Sequence, residues 1–297
     1  MNPVLFSVSY AGLWGQDVLG LEEFVRHASK LGYAGVELMG KRPHLSPLDY
    51  REERAEELAG LCEEVGLEVA CVAAYTNFSG GVESAEVPFG ELQVLYVERL
   101  ARLARALDCG LVRVFTSYER PDLPLAENWR RTVEALQECC DRAAEFDVTI
   151  GIQNHHDLAV HSKALLELLG DIDRPNCALM FDPWSPCLRG EEPFETAREM
   201  APHVVYTTLA DYVRLPRFQH TASLVNYERV EPDFVRAVPI GEGDIASLEF
   251  VRGLRAGGYE GPIAYEMCSP LRGGGSLENL DRCARRFLQW LEENELR

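Results

Sequence analysis

His155, His156, Asp182 and Glu266 are the residues of this chain whose types could do acid–base or metal chemistry together, with Gln153 just ahead of the histidine pair. Carboxylate, imidazole and amide oxygen make a ligand set that suits Mn²⁺, Co²⁺, Fe²⁺ or Zn²⁺. The same carboxylates and imidazoles can exchange protons with a bound molecule. Each residue also has a plain structural reading. A histidine after a strand can hydrogen-bond loop carbonyls, and Asp182 before Pro183 can form a turn. Glu266 is harder to dismiss, because it ends an apolar run, PIAYE at 262–266. Charge rarely converges at one place without a function, so the cluster as a whole reads as a site.

These residues belong to a recurring unit of amphipathic helix, glycine and short apolar strand. A helix carrying Leu21, Phe24, Val25, Ala28 and Leu31 stops at Gly32 and leads into AGVEL at 34–38. The next helix opens with Ser46 as N-cap and Pro47 at its first position, ends at Gly66, and precedes a strand at 67–72. The third runs through Leu92 to Leu107, before LVRVF at 111–115. Later helices near 126–146, 162–169, 193–200 and 245–255 lead into strands at 148–153, 177–182, 204–211 and 262–266, and a last helix spans 277–293. With VLFSVSY at 4–10 in front, this makes eight strands and eight helices. Alternation of this kind implies a parallel sheet, and eight units close into a (β/α)8 TIM barrel, an α/β fold with a single domain over 1–297. No GxGxxG or P-loop turn supports an open doubly wound sheet. One long connection, 212–244, reads as a loop acting as a lid or binding element.

In such a barrel, polar residues at strand C-termini read as catalytic. They include Glu37, Tyr75, Asn77, Arg113 and Thr116, then the segment 153–157, Asp182 with Trp184 and Ser185, Thr208 to Asp211 with Arg214, and Glu266 with Cys268, Ser269 and Arg272. The run Arg272-Gly273-Gly274-Gly275-Ser276 precedes the last helix, where backbone N–H groups can hold phosphate; the plain reading is a connector with Ser276 as N-cap. Trp14, Tyr75, Phe78 and Trp184 could form a platform for the C–H face of a sugar, or fill the core. His161 and His203 read as structural.

The formal net charge of −19 over 297 residues, with no clustered Lys/Arg run, argues against a nucleic-acid partner. No apolar run reaches the roughly 18 residues of a membrane span, and the N-terminus lacks a basic signal-peptide region. Nine cysteines, an odd number without a CxxC pair, argue against a disulfide framework or zinc ribbon. The expectation is a reduced, cytoplasmic protein.

The chain resembles the xylose-isomerase-like TIM-barrel superfamily of sugar isomerases and epimerases, which also holds hydroxypyruvate isomerases, inosose dehydratases and endonuclease IV. The resemblance spans nearly the whole chain. It is carried by LGYAGVEL at 31–38, the Asp182 strand end, TLAD at 208–211 with Arg214, and GGYEGPIAYEM at 257–267. It implies a divalent ion (Mn, Co, Mg or Zn) on Asp182 and Glu266, with Asp211 and Arg214 matching a supporting acid and a substrate-binding arginine. Three positions depart from the pattern: Gln153 stands at the strand-five Glu, Ser185 at the strand-six His and Thr208 at the strand-seven His. Gln153 can ligate but cannot ionise. His155 or His156 is then the candidate replacement, as ligand or as base.

The function expected from this resemblance is a metal-assisted isomerase or epimerase acting on a sugar, sugar phosphate or related hydroxy-ketone by proton transfer beside a carbonyl. Glu266, His155 and His156 would be catalytic, and Asp182, Glu266, Gln153 and His155 would hold the metal. Glu37, Trp184, Asp211, Arg214 and Arg272 would bind substrate. An inosose-dehydratase-like lyase is the alternative, followed by a metal-free barrel with a binding role. Barrels of this family often pair, so a homo-oligomer is implied too, although no residue fixes its interface.

Overall fold

Eight parallel strands close on themselves in the computed structural model, which describes residues 1–80 and 87–297. They are β1 (Pro3–Phe6), β2 (Gly35–Met39), β3 (Glu68–Ala73), β4 (Leu111–Val114), β5 (Thr149–Gln153), β6 (Cys177–Met180), β7 (Val204–Leu209) and β10 (Ile263–Tyr265). Each pairs with its sequence neighbour, β7 pairs with β10, and β10 closes the ring on β1. Helices α1 (Leu21–Leu31), α2 (Glu52–Glu64), α3 (Phe89–Ala106), α4 (Leu125–Ala144), α5 (Ser162–Ile172), α7 (Pro193–Met200), α8 (Ser247–Ala256) and α9 (Leu277–Glu293) connect the strands, and a short α6 (Trp184–Arg189) precedes α7. The chain is a single-domain TIM barrel, as its alternating pattern requires.

Helical spacing explains the outer layer. α1 buries Leu21, Phe24, Val25, Ala28 and Leu31 along one stripe, and Gly32, at φ 94°, ends it in the left-handed region. Inside the barrel, Val4, Cys71, Leu111, Met180, Tyr206 and Ala264 form one packed layer. Phe6, Val8, Met39 and Ala73 form another, with Trp14 and Tyr75 against it. A Cβ at Gly151 would lie 2.8 Å from Met180 Cγ, so a larger residue on β5 would have to push the Met180 side chain aside.

Four boundaries differ from the sequence pattern for physical reasons. The first strand stops at Phe6, and Ser7–Tyr10 forms a 3-10 turn. There the Ser7 and Ser9 hydroxyls accept from the backbone N–H groups of Met39 and Met267, each at 2.8 Å, and replace ladder carbonyls. α2 begins at Glu52, not Ser46, because Ser46 closes a turn whose carbonyl accepts from Asp49 and Tyr50 N–H at 2.9 Å. β6 and β7 end at Met180 and Leu209, short of Asp182 and Asp211.

The fourth difference is larger. The connection expected as a loop is an antiparallel hairpin, β8 (Asp211–Thr221) and β9 (Asn226–Val238). Its length alone does not distinguish the two. Pro216 sits at a register shift between Leu215 and Arg217, where a residue without an N–H does no harm. The nine cysteines are free thiols. Among the described residues, no helix is long and apolar enough to cross a membrane.

Candidate active site

At the C-terminal mouth the barrel brings together three carboxylates and one guanidinium. Glu37 comes from β2, Arg113 from β4, Asp182 follows β6 and Glu266 follows β10. Asp182 and Glu266, the pair singled out in the sequence, do share this mouth, the charge of Asp182 raising Glu266. Arg113 is only 2% exposed and Glu37 is fully buried, with Arg113 Nη1 3.8 Å from Glu37 Oε1. Arg113 Nη2 donates to the Ala74 carbonyl at 3.2 Å. The guanidinium also lies 4.3 Å from the Phe115 ring, 4.8 Å from Tyr75 and 5.2 Å from Phe6, an aromatic cage that suits a weakly hydrated planar cation. Among the described residues, its Nε has no hydrogen-bond partner.

Burial sets the ionisation of this group. It pushes Glu37 up to about 7, against the opposing charge of Arg113 and the Tyr206 hydroxyl. It pushes Asp182 up to about 6, opposed first by the Gln153 hydrogen bond and then by the N–H groups of Trp184 and Ser185. Glu266 rises to about 8, by burial and then by the charge on Glu37, with Arg113 opposing. One cation cannot neutralise three carboxylates, two of them buried and Glu266 half-buried, so protons are shared among them near neutral pH.

The expected metal ligands are not assembled as a set. Gln153 turns its amide N–H toward Asp182 Oδ2 at 2.8 Å, while its own Oε1 is buried and without a partner among the described residues. Asp182 Oδ1 accepts from Trp184 N–H at 3.0 Å. His155 stacks on Phe115 at 4.3 Å, and its Nδ1 accepts the His156 backbone N–H at 2.8 Å. His156 Nε2 meets the Thr76 carbonyl at 2.9 Å, and its ring stacks on Tyr118 at 4.0 Å. Although His155 lies at the exposed rim, desolvation of its ring, and then the charges of His156 and Arg113, pull it down to about 3. The histidine pair follows its plain structural reading, bonded to loop backbone and packed on rings. Among the described residues, no three His, Cys, Asp or Glu side chains are grouped to hold a metal ion. An amide that turns its N–H to Asp182 and a permanent cation among the carboxylates do not fit a divalent ion.

The expected substrate-binding residues separate in the same way. Glu37 is in the mouth. Trp184 is at its edge, ring to ring with buried Tyr212 at 3.8 Å and 77°. Asp211 is instead a clamp. Its carboxylate accepts the backbone N–H groups of Tyr212, Gly241, Gly243 and Ile245 at 2.8–3.2 Å, which ties the base of the hairpin and leaves nothing for a substrate. A Cβ at Gly243 would lie 2.0 Å from Asp211 Oδ1, so glycine is required there. Arg214 is exposed on the hairpin and pairs with Asp244 at 3.7 Å.

Arg272 is exposed on the glycine run, which is not an open phosphate cradle. Asp17 fills it: Asp17 Oδ2 accepts from Leu277 N–H at 2.8 Å, and Asp17 N–H donates to the Gly275 carbonyl at 2.7 Å. Ser276 is the N-cap of α9, accepting from Asn279 N–H. His161 likewise caps α5, accepting from Lys163 N–H, and His203 sits exposed in a 3-10 turn just before β7. Phe78 is core, 4% exposed.

Two residues of the site were underrated in the sequence. Arg113 reads as one polar residue in an apolar strand, yet it is the cation around which the carboxylates gather. Lys41, two residues past β2, was not considered; its ammonium lies 3.8 Å from the Tyr75 ring centroid. The available signal was position, since both stand at strand C-terminal ends. A cavity of about 770 Å³ opens beside the mouth, with Gly40, Lys41 and Tyr75 in its wall.

Comparison with known proteins agrees with this architecture. A family profile described as xylose isomerase-like TIM barrel matches residues 25–293. The chain is 21% identical over 245 residues to a 3-dehydroshikimate dehydratase of Bacillus anthracis, covering 80% of this chain and 82% of that protein. It is 20% identical over 258 residues to a fructoselysine 3-epimerase of Escherichia coli O157:H7, covering 85% and 87%. Among solved structures, a D-psicose 3-epimerase in the presence of D-fructose superposes with a TM-score of 0.75 at 15% identity over 100% of both chains. The probable 3-DHS dehydratase involved in petrobactin synthesis from Bacillus anthracis superposes with a TM-score of 0.73 at 19% identity, over 98% of this chain and 99% of that one.

Proposed function

Because the chain belongs to the xylose isomerase-like TIM-barrel family, we propose that it is an isomerase or epimerase that moves a proton next to the carbonyl of a sugar or sugar-derived hydroxy-ketone. The observation that carries this reading is the gathering of Glu37, Asp182 and Glu266 around the buried guanidinium of Arg113 at the mouth of the barrel. A carboxylate of this group takes the proton from the carbon beside the carbonyl. The pair of electrons left behind moves onto the carbonyl oxygen. The positive charge of Arg113 favours that developing negative charge in a water-poor site. A second, protonated carboxyl returns a proton to the neighbouring carbon or to the opposite face. Environments that hold two carboxyls at different affinities for the proton suit this division into acid and base. No step here requires a metal ion, because the residues present do not fit one.

A second reading is dehydration, in which the returned proton goes to a leaving hydroxyl and water departs. It is favoured by Gln153: a side chain that cannot ionise stands where an opposed base would be needed for epimerisation. The similarity to a 3-dehydroshikimate dehydratase is consistent with it. One experiment tests both. Candidate ketoses and cyclic hydroxy-ketones are incubated with the protein in D2O, with NMR for carbon-bound deuterium and ultraviolet absorbance for an enone. Deuterium with isomer formation supports the first reading, and an enone without epimer interconversion supports the second. Neither signal with any compound counts against both.

A further inference from the structure

We propose that the groove beside the barrel mouth binds a small anion with an apolar body, a carboxylate or phosphate carried on an aryl or alkyl frame. The groove encloses about 770 Å³, within the roughly 300–1,000 Å³ of small-molecule sites. One wall is the segment between β2 and α2, and the other is the face of α3. Leu48, Leu92 and Leu95 line it while staying 81%, 46% and 48% exposed, so among the described residues apolar surface is gathered there without a covering partner.

Charge separates this hollow from the rest of the surface. The chain carries a net charge of −19, and most of its arginines are neutralised by neighbours, as Arg42 is by Asp49 and Arg142 by Glu98. Lys41, Arg51 and Arg99 line the groove and make no ion pair among the described residues. Of the two carboxylates in the lining, Glu52 is already taken by Arg102 at 3.4 Å. A patch with spare positive charge and apolar walls is complementary to an amphipathic anion, and in an acidic protein it is where such an anion would concentrate.

The groove also borders the mouth through one residue. The Tyr75 ring has Lys41 Nζ at 3.8 Å and the Arg113 guanidinium at 4.8 Å from its centroid. Tyr75 is thus the wall shared by the groove and the cluster around Arg113. That the occupant is the substrate rests on the reaction proposed above; that the groove binds such anions does not.

Titration calorimetry with 2-naphthoate, 1-naphthyl phosphate and the neutral 2-naphthalenemethanol tests the site without turnover. At least one anion is expected to bind below about 1 mM, with the neutral alcohol at least about tenfold weaker. The tighter anion tells whether carboxylate or phosphate is preferred. Lys41→Met and Arg99→Gln are each expected to weaken the anion about tenfold, and Leu95→Asp to weaken it further. All three positions are at least partly solvent-exposed, so the fold should tolerate the changes, and unaltered thermal melting confirms that. Equal binding of alcohol and anions, no binding of either anion, or an unchanged affinity in Lys41→Met overturns the proposal. Anion binding without deuterium exchange in any ketose would leave the groove standing and sink the reaction.

Discussion

Arg113 and Glu37 face each other inside the barrel with 3.8 Å between Nη1 and Oε1, both almost wholly shielded from water. A buried pair of this kind is balanced only while both members are present. Replacing Arg113 with Met strands Glu37, and a loss of about 3–5 kcal/mol in urea unfolding is expected. The double replacement Arg113→Met with Glu37→Gln should cost clearly less than the two single changes added together. Strict additivity would mean that the two groups do not interact.

Glu266 and Asp182 are expected to carry the proton transfer. Glu266→Gln and Asp182→Asn should each slow deuterium exchange by about 10²–10⁴-fold. His155→Ala should slow it by less than about tenfold, since that imidazole is held neutral and bonded to the neighbouring backbone. A larger effect at His155 than at Glu266 would reverse the assignment of roles.

Chelation is a direct check on the ligand set. Dialysis against EDTA should change the exchange rate by less than about twofold, because no three ligating side chains are grouped among the described residues. Loss of activity with recovery on adding Mn²⁺ or Co²⁺ would refute the assignment of the site's positive charge to Arg113.

Asp211→Ala removes the acceptor of four backbone N–H groups at the base of the hairpin. Buried donors without partners are costly, so a destabilisation of about 3 kcal/mol or more is expected. Hydrogen exchange should quicken first at Tyr212, Gly241, Gly243 and Ile245. Unchanged exchange there would show that Asp211 is free to serve a ligand.

His44 sets an acid limb to stability. It is 1% exposed, and burial lowers it to about 4, opposed by its bond to the Leu19 carbonyl. The native state therefore keeps it neutral while the unfolded chain takes up a proton below the ordinary value of about 6.5. Its contribution is intact above that value and is lost as pH falls toward 4. Between pH 7 and about 4.5, His44→Gln should lose about 2–3 kcal/mol less stability than the parent. Parallel curves for the two proteins would rule this out.

The order of elements was legible in the chain because it rests on local rules. The stripe of α1, the stop at Gly32 and the apolar run before Glu266 are each readable within a few residues. Where those rules misled, a distant group had intervened. Ser7 and Ser9 end β1 by accepting from Met39 and Met267. Ser46 and Pro47 look like a helix start, but the turn they make is pinned by buried Leu45 and Tyr50. The hairpin is not legible as strands, because its two halves pair only with each other and a shift in register at Pro216 breaks their alternation.

By itself the sequence determined the barrel and placed Asp182 and Glu266 at one mouth, since alternation of helix and strand sends every strand the same way. Only the tertiary structure decided which polar atoms remain available. Closure set Arg113 among the carboxylates, spent Asp211 on four backbone amides, filled the glycine run with Asp17 and locked His155 and His156 onto rings and carbonyls. Residue type states what an atom can bond. Whether its capacity is already used depends on neighbours that only folding supplies, and burial then fixes the cost of carrying charge there.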